Sequence, residues 1–155
     1  MKKLSFILTL CMFVAVSSSG IANPKKDPTF KKAVKYFFQK KFEMAQILLH
    51  QSIKKNPENS LAYSYLGDIF LWKKQYNGAQ AMYKRAIDIN PNNAENYFRL
   101  GQVYYYKKLG TMSISNFKKA LEVDKTLKFS HYHIGLAYLM LERNKQHTIT
   151  SWETY

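Results

Sequence analysis

The sequence predicts an all-α fold, a right-handed solenoid of about four antiparallel helix pairs that follows a short leader. One pattern of large and small residues occurs twice in register, so that Gly67 and Gly101 stand 34 residues apart at equivalent places. Within each copy the patterned residues are three or four apart, a spacing that puts side chains on one face of an α-helix. Repeats of this length bury their apolar surface by stacking one helix pair on the next.

The leader, residues 1–22, has the three-part composition of a secretory signal peptide. It begins with the positive pair Lys2-Lys3 and continues with a mainly apolar stretch over residues 4–16. It ends with small residues that permit cleavage between Ala22 and Asn23. We therefore expect an exported protein of the periplasm or cell envelope, with residues 23–155 forming one domain.

Two other roles for the leader are weaker. An uncleaved anchor would need residues 17–21 to extend the apolar stretch, because that stretch is shorter than the roughly 20 residues that span a bilayer as a helix. A lipoprotein would need Cys11 in a lipid-attachment motif, but Leu10 is too large for the place before it. Cys11 is the one cysteine, so cleavage leaves a chain that can enter an oxidising compartment without mispairing.

The first repeat, residues 26–59, is degenerate. Asp27 followed by Pro28 predicts a helix start, since aspartate caps free backbone amides and proline suits the first turn. Thr29 and Lys32, however, occupy places where the other repeats have large apolar residues. A solvent-facing end cap is expected to depart from the pattern in this way.

Repeats two and three, residues 60–93 and 94–127, carry the full pattern. Their patterned residues are Tyr63, Leu66, Gly67, Phe70, Ala79, Tyr83 and Ala86 in repeat two, and Tyr97, Leu100, Gly101, Tyr104, Ser113, Phe117 and Ala120 in repeat three. The small residues let the two helices of a pair approach closely, and the large ones fill the space around that contact. Asn90-Pro91 ends a helix, because proline lacks an amide donor and asparagine tolerates turn geometry.

The fourth repeat, residues 128–155, matches the pattern in part. Its first-helix places hold Ile134, Gly135 and Tyr138, with His131 replacing a large residue. Its second-helix places hold Thr148, Trp152 and Tyr155, provided that a turn around Asn144 contains one extra residue. Because the sequence ends at Tyr155, we expect this last helix to be short and exposed.

This order of large, small and aromatic residues resembles the tetratricopeptide repeat, of the type found in exported bacterial proteins. The resemblance covers nearly all of residues 23–155 and implies a concave groove with no built-in chemistry. It implies a non-enzymatic scaffold or adaptor that binds a peptide or protein segment in that groove. The alternative is a structural assembly subunit that self-associates or docks through its exposed C-terminal helix.

In the proteins that this chain resembles, certain places on the first helices face the groove. Those places hold Tyr65, Asp68, Trp72, Arg99, Gln102, Tyr106 and His133. Aromatic and arginine side chains often dominate binding energy, so Trp72, Tyr106 and Arg99 are strong candidates for ligand contact. The other interpretation of Trp72 and Tyr106 is that they cover the seam between repeats.

Some members of the family hold the acidic C-terminal tails of heat-shock chaperones through a clamp of lysine and asparagine. The corresponding places here hold Phe30 and Val34, or Ser64 and Asp68. Since neither pair can form the clamp, we do not expect this chain to bind such tails.

The sequence predicts no enzymatic activity, no metal and no cofactor. His131 and His133 are two apart and point to different faces of a helix, so they cannot share a metal ion as an i, i+4 pair can. The acidic residues are dispersed along the chain without paired spacing, and the sequence has no glycine-rich phosphate loop.

The chain is basic, with 24 lysine and arginine residues against 10 acidic ones and a formal net charge of +14. Only Arg85, Arg99 and Arg143 are arginines, and lysine suits solvated helix ends and diffuse attraction better than bidentate phosphate recognition. The lysines are therefore either solvated helix termini or a weak attraction for an acidic partner or anionic lipid. Export and scarce arginine argue against nucleic acid, so the expected partner is a protein, a peptide or a second copy of the chain.

The leader yields a direct test. Protein purified from its native host should begin at Asn23, or within about two residues of it, because small residues precede that bond. N-terminal sequencing checks this, and recovery of intact Met1 in a membrane fraction would support the anchor instead.

Overall fold

The computed structural model describes the backbone of residues 27–153 and the side chains of residues 27–145. Within those residues the chain is all α-helical, as the sequence predicts. The helices are α1 (Pro28–Phe38), α2 (Phe42–Lys55), α3 (Ser60–Trp72), α4 (Tyr76–Ile89), α5 (Ala94–Tyr106), α6 (Gly110–Val123) and α7 (Phe129–Glu153). The leader, residues 1–22, and the side chains of Thr148, Trp152 and Tyr155 lie outside the described part, so the predictions for them stay predictions.

The first six helices form three antiparallel pairs that stack in chain order, α1 with α2, α3 with α4, and α5 with α6. The first helix of each of these three pairs has a side-chain cap at its N-terminus. The Asp27 carboxylate accepts a hydrogen bond from the Thr29 amide at 2.9 Å, and Asn59 and Asn93 cap α3 and α5 in the same manner. The expected helix start at Asp27 is confirmed, with Pro28 as the first helical residue.

In the second and third pairs, the two helices touch where a glycine meets an aromatic ring. A methyl group built on Gly67 would lie 2.7 Å from the Tyr83 ring, and one on Gly101 would lie 2.7 Å from the Phe117 ring. Both rings are fully buried. Only a residue without a side chain allows the ring to lie this close to the helix backbone.

Lysines occupy the left-handed turn between the helices of each pair. Lys40, Lys74 and Lys108 have φ angles of 59°, 57° and 59°, at equivalent places in successive repeats. A side chain in this conformation costs roughly 1–2 kcal/mol, which is why glycine usually occurs there. The stacking of the helices on either side keeps these residues in the turn despite that cost.

In the second and third pairs, the lysine that precedes the left-handed turn donates a hydrogen bond to a side chain of the preceding pair. Lys73 Nζ donates to Gln46 Oε1 at 3.2 Å and lies 3.3 Å from Glu43 Oε1. Lys107 Nζ, one repeat later, donates to Gln80 Oε1 at 2.6 Å. These two lysines therefore connect neighbouring repeats, whereas the sequence alone was compatible with simple solvated helix ends.

The second helix expected in repeat four is not observed as a separate element. α7 runs without interruption from Phe129 to Glu153, through the turn that was predicted around Asn144. The segment after Gly135 contains no glycine or proline, and asparagine alone is a weak helix breaker. Repeat four is thus represented by one long helix. Among the residues of α7 whose side chains the structure describes, Ser130 and Ala137 are buried.

Membrane crossing would need a longer or more apolar helix than any found between residues 27 and 153.

Candidate ligand groove

The first helices of the three pairs lie side by side and line a groove with a volume of about 650 Å³. Its walls come from α1, α3 and α5, with contributions from the starts of α2 and α4. The lining residues are Phe37, Phe38, Phe42, Tyr65, Asp68, Leu71, Trp72, Lys74, Tyr76, Arg99, Gln102 and Tyr106. Six of the seven residues expected to face the groove are among them.

Trp72 and Tyr106 lie at the seam between repeats and are also open to the groove. The Trp72 ring packs at 4.5 Å between centroids on Phe42, which opens the second helix of the preceding repeat. Tyr106 lies on Tyr76, the residue 34 after Phe42, but in a nearly parallel stack with 5.6 Å between centroids and an interplanar angle of 14°. Trp72 nevertheless remains 64% exposed and Tyr106 53% exposed. The two interpretations of these residues therefore both describe the geometry: one face of each ring covers the seam, and the other is available to a ligand.

Phe38 is the third member of this row and was not among the residues predicted to face the groove. It stands 34 residues before Trp72, at the equivalent place on α1, and is 72% exposed. Repeat one matches the pattern poorly elsewhere, but the 34-residue interval that relates Trp72 to Tyr106 also relates Phe38 to Trp72. The row of three exposed aromatic rings follows the groove from one repeat to the next.

Tyr65 forms part of the aromatic wall at the α1 side. Its ring centroid lies 4.9 Å from that of Phe37 and 5.9 Å from that of Phe30. Burial, followed by the nearby charge of Asp68, raises the pKa of the Tyr65 hydroxyl. The hydroxyl therefore remains neutral, as a donor or acceptor at the edge of the groove.

A polar network connects repeats two and three at the centre of the groove. The Tyr83 hydroxyl donates to Asp68 Oδ1 at 2.6 Å, and Arg99 Nε lies 3.7 Å from the same oxygen. Arg99 Nε is 2.8 Å from Glu95 Oε1, and its terminal nitrogen donates to Gln102 Oε1 at 3.3 Å. The guanidinium is therefore held in one orientation before any ligand arrives.

Burial raises the pKa of the Asp68 carboxyl, and the charge of Glu95 adds to that effect. The hydrogen bond from Tyr83 and the positive charge of Arg99 act in the opposite direction without reversing it. Burial and the Asp68 carboxylate together raise the pKa of Tyr83 far above its ordinary value. The tyrosine therefore remains a hydrogen-bond donor to Asp68 across the accessible pH range.

His133, the seventh residue expected at the groove, is not among the residues that line this cavity. Its ring lies 5.2 Å from both Phe98 and Phe117, stacked on Phe117 at 26°. Burial lowers the pKa of His133, so it is a mostly neutral ring at the junction of α5, α6 and α7. It packs there because α7 lies against the end of the third pair and turns this residue towards the Phe117 cluster.

The described residues contain no cluster of three or more histidine, cysteine or acidic side chains that could hold a metal ion. The groove presents aromatic faces, one fixed guanidinium, one partly buried carboxyl and an amide. This chemistry suits recognition of a polypeptide segment.

Two family models match the chain. A model described as TPR repeat matches residues 67–108, and one described as tetratricopeptide repeat matches residues 94–127. No curated protein matches the sequence.

Several solved structures share the fold over most of the chain. The TPR domain of Sgt2 from Aspergillus fumigatus is 15% identical with a TM-score of 0.72, covering 80% of this chain and 83% of that one. The first TPR of Spaghetti (RPAP3), bound to the HSP90 peptide SRMEEVD, is 17% identical with a TM-score of 0.70, covering 72% and 89%. The TPR2B domain of yeast Sti1, in a pHsp70 complex, is 19% identical with a TM-score of 0.64, covering 75% and 94%. Identities this low establish a shared fold and nothing more.

The raised pKa of Asp68 predicts how stability depends on pH. The folded chain binds this proton more tightly than the unfolded chain, in which the pKa of the carboxyl is about 3.8. The stability that Asp68 contributes is therefore fully present below about pH 3.8 and is lost as pH rises through the pKa of the folded state. Urea unfolding between about pH 3 and 7 should therefore show Asp68→Asn gaining stability relative to the parent as pH rises.

Asp124→Asn provides the matched control. Hydrogen bonds from the Thr126 hydroxyl and amide lower the pKa of Asp124, so its contribution has the opposite sign and is lost as pH falls. If the difference between parent and Asp68→Asn stayed constant across this range, the description of Asp68 would be wrong.

Proposed function

We propose that this tetratricopeptide-repeat protein is a non-enzymatic scaffold of the cell envelope that binds a peptide or protein segment in its concave groove. The observation that carries the proposal is the row formed by Phe38, Trp72 and Tyr106. Each ring is more than half exposed, and together they line one side of a single groove. Large exposed aromatic side chains that share a concavity are typical of recognition surfaces.

The spacing of the row favours an extended or helical segment over a compact ligand. Rings at equivalent places on three successive first helices present apolar surfaces at regular intervals along the groove. Arg99 lines the same groove with its guanidinium fixed by Glu95 and Gln102, so little conformational entropy is lost when it donates to a ligand carbonyl or carboxylate. We therefore expect a segment with at least two apolar side chains and a hydrogen-bond acceptor.

The fold supports peptide binding, but the groove differs from a chaperone-tail site. RPAP3 and Sti1 are described in complexes with an HSP90 peptide and with pHsp70. In this chain the places of the lysine-and-asparagine clamp hold Phe30, which is buried in the core, and Asp68, which is acidic and bonded to Tyr83. An acidic C-terminal tail would meet a carboxyl where the clamp has a donor.

Long-range electrostatics favour a partner that is acidic outside the groove contact. The formal net charge of +14, which falls to +12 when Lys2 and Lys3 are removed with the leader, would speed association with a protein of opposite charge, and salt would screen that effect. The groove itself contributes contact specificity through apolar rings. On this proposal, added salt lowers the association rate more than it raises the dissociation rate.

The envelope location rests on residues 1–22, which lie outside the described structure. Their charge, apolar stretch and small residues support export through the secretory route.

A structural assembly subunit is the second candidate function, and the exposed face of α7 favours it.

The groove can be tested with peptides selected on the parent protein from a displayed random library. Trp72→Ala and Arg99→Ala should each weaken binding of a selected peptide by about tenfold or more, because central aromatic and arginine contacts are typically worth about 2 kcal/mol. Trp72→Ala should lower the free energy of unfolding by only about 0.5–1.5 kcal/mol, the value of one aromatic pair. Fluorescence titration and urea unfolding measure the two quantities.

Two matched controls stand outside the groove. Phe129→Ala removes an aromatic ring that is 75% exposed, and Arg85→Ala removes an arginine that contacts Glu58 on the outer surface. Both should bind the peptide as the parent does. Full binding by a stable Trp72→Ala, Arg99→Ala double variant would exclude the groove and leave the assembly function as the better account.

A further inference from the structure

An exposed lysine stands two residues after each ring of the row that lines the groove. The three lysines, termed the lysine rim, are Lys40, Lys74 and Lys108. Lys74 itself lines the groove together with Trp72. Lys40 and Lys108 hold the equivalent turns of the preceding and following pairs, after Phe38 and Tyr106. A positive side chain therefore accompanies each ring at the same interval of 34 residues.

The backbone at the lysine rim is suited to glycine. The three φ angles lie between 57° and 59°, where a side chain is strained and glycine is not. Among the residues that the structure describes, these lysines are the only ones other than glycine with a positive φ. Since glycine would fit each turn with less strain, the recurrence of lysine indicates a role for its side chain outside the packing of the fold.

The charge of the lysine rim is available to a ligand. Lys73 and Lys107, which precede two of the rim lysines, already bond to the preceding pair. In the part of the chain whose side chains are described, no acidic residue forms an ion pair with a rim lysine. Of the described residues that line the groove, only Asp68 is acidic, and it lies 3.7 Å from Arg99. Lys74 therefore brings uncompensated positive charge to the groove.

We propose that the segment bound in the groove carries acidic side chains next to its apolar ones, and that the lysine rim binds those acids while the rings bind the apolar groups. This inference rests on the proposed function, because it specifies the chemistry of the segment that the same groove takes. An ammonium group on a flexible stem can meet a carboxylate in several positions, so the rim selects for charge without fixing one geometry. The acids stay at the rim because the Asp68 carboxylate would repel them.

Parallel selections from a displayed random peptide library test the proposal, one on the parent and one on a variant that combines Lys40→Gly, Lys74→Gly and Lys108→Gly. Peptides selected on the parent should contain aspartate or glutamate close in sequence to an aromatic or leucine residue. Peptides selected on the variant should keep the apolar residues and lose the acidic excess. Glycine suits the left-handed turn, so the urea midpoint of the variant should be no lower than that of the parent. A loss of binding is then separated from a loss of folding.

A double-mutant cycle measures the contact itself, with one selected peptide and a second version in which amides replace its acids. On the parent, the amide peptide should bind about two- to fivefold more weakly, as expected for exposed ion pairs. Lys74→Gly should weaken the acidic peptide by a similar factor and the amide peptide little, because the pair is then already absent. Lys74→Arg keeps the charge and should bind the acidic peptide nearly as the parent does.

The control removes three exposed lysines from the second helices and lowers the net charge by the same amount. Its substitutions are Lys54→Ala, Lys84→Ala and Lys118→Ala. This variant should bind the acidic peptide within about twofold of the parent, since charges away from a contact act mainly on the association rate. Equal losses in the rim and control variants would overturn the proposal.

Selected peptides without an acidic excess would also overturn it, and rim-dependent binding of an oligothymidine in that case would assign the rim to a nucleic acid. Both results leave the groove function standing, provided that Trp72→Ala still weakens the selected peptides. A parent that selects no peptide would overturn the groove function and this inference together.

Discussion

The contact between a glycine backbone and a buried aromatic ring is the constraint on which the rest of this structure depends. Tyr83 against Gly67 and Phe117 against Gly101 bring the two helices of a pair closer than any side chain on the first helix would allow. Since both contacts occur at equivalent places, the second and third pairs share the same close approach of their helices, and the pairs stack in chain order. The regular stack then brings the first helices together along one concave side.

The groove is a consequence of that regularity. Equivalent places on α1, α3 and α5 bring Phe38, Trp72 and Tyr106 into one row, although each ring contacts a different neighbour. Tyr83 serves both purposes, because its ring lies against Gly67 while its hydroxyl holds Asp68 at the groove floor. Tyr83 therefore takes part both in the packing of the two helices and in the polar network of the groove.

The sequence predicted what depends on local periodicity. The three stacked pairs follow from residues repeated at fixed intervals, and so does the placement of Tyr65, Trp72 and Tyr106 along one cavity. It did not predict what depends on partners distant in the chain, such as the packing of His133 on Phe117 or the orientation of Arg99 by Asp68 and Glu95. The turn expected around Asn144 is not observed, because no glycine or proline interrupts the helix there and a match to the repeat pattern cannot by itself terminate a helix.

A double-mutant cycle between Gly101 and Phe117 tests the central contact most directly, with urea unfolding as the measurement. In a helix without tertiary contacts, glycine to alanine stabilises by about 1 kcal/mol. This account predicts that Gly101→Ala instead destabilises the parent, and that the loss shrinks or becomes a gain when Phe117→Leu has removed the ring, a coupling of at least about 0.5 kcal/mol. Costs that simply add, or a Gly101→Ala variant more stable than the parent, would contradict it.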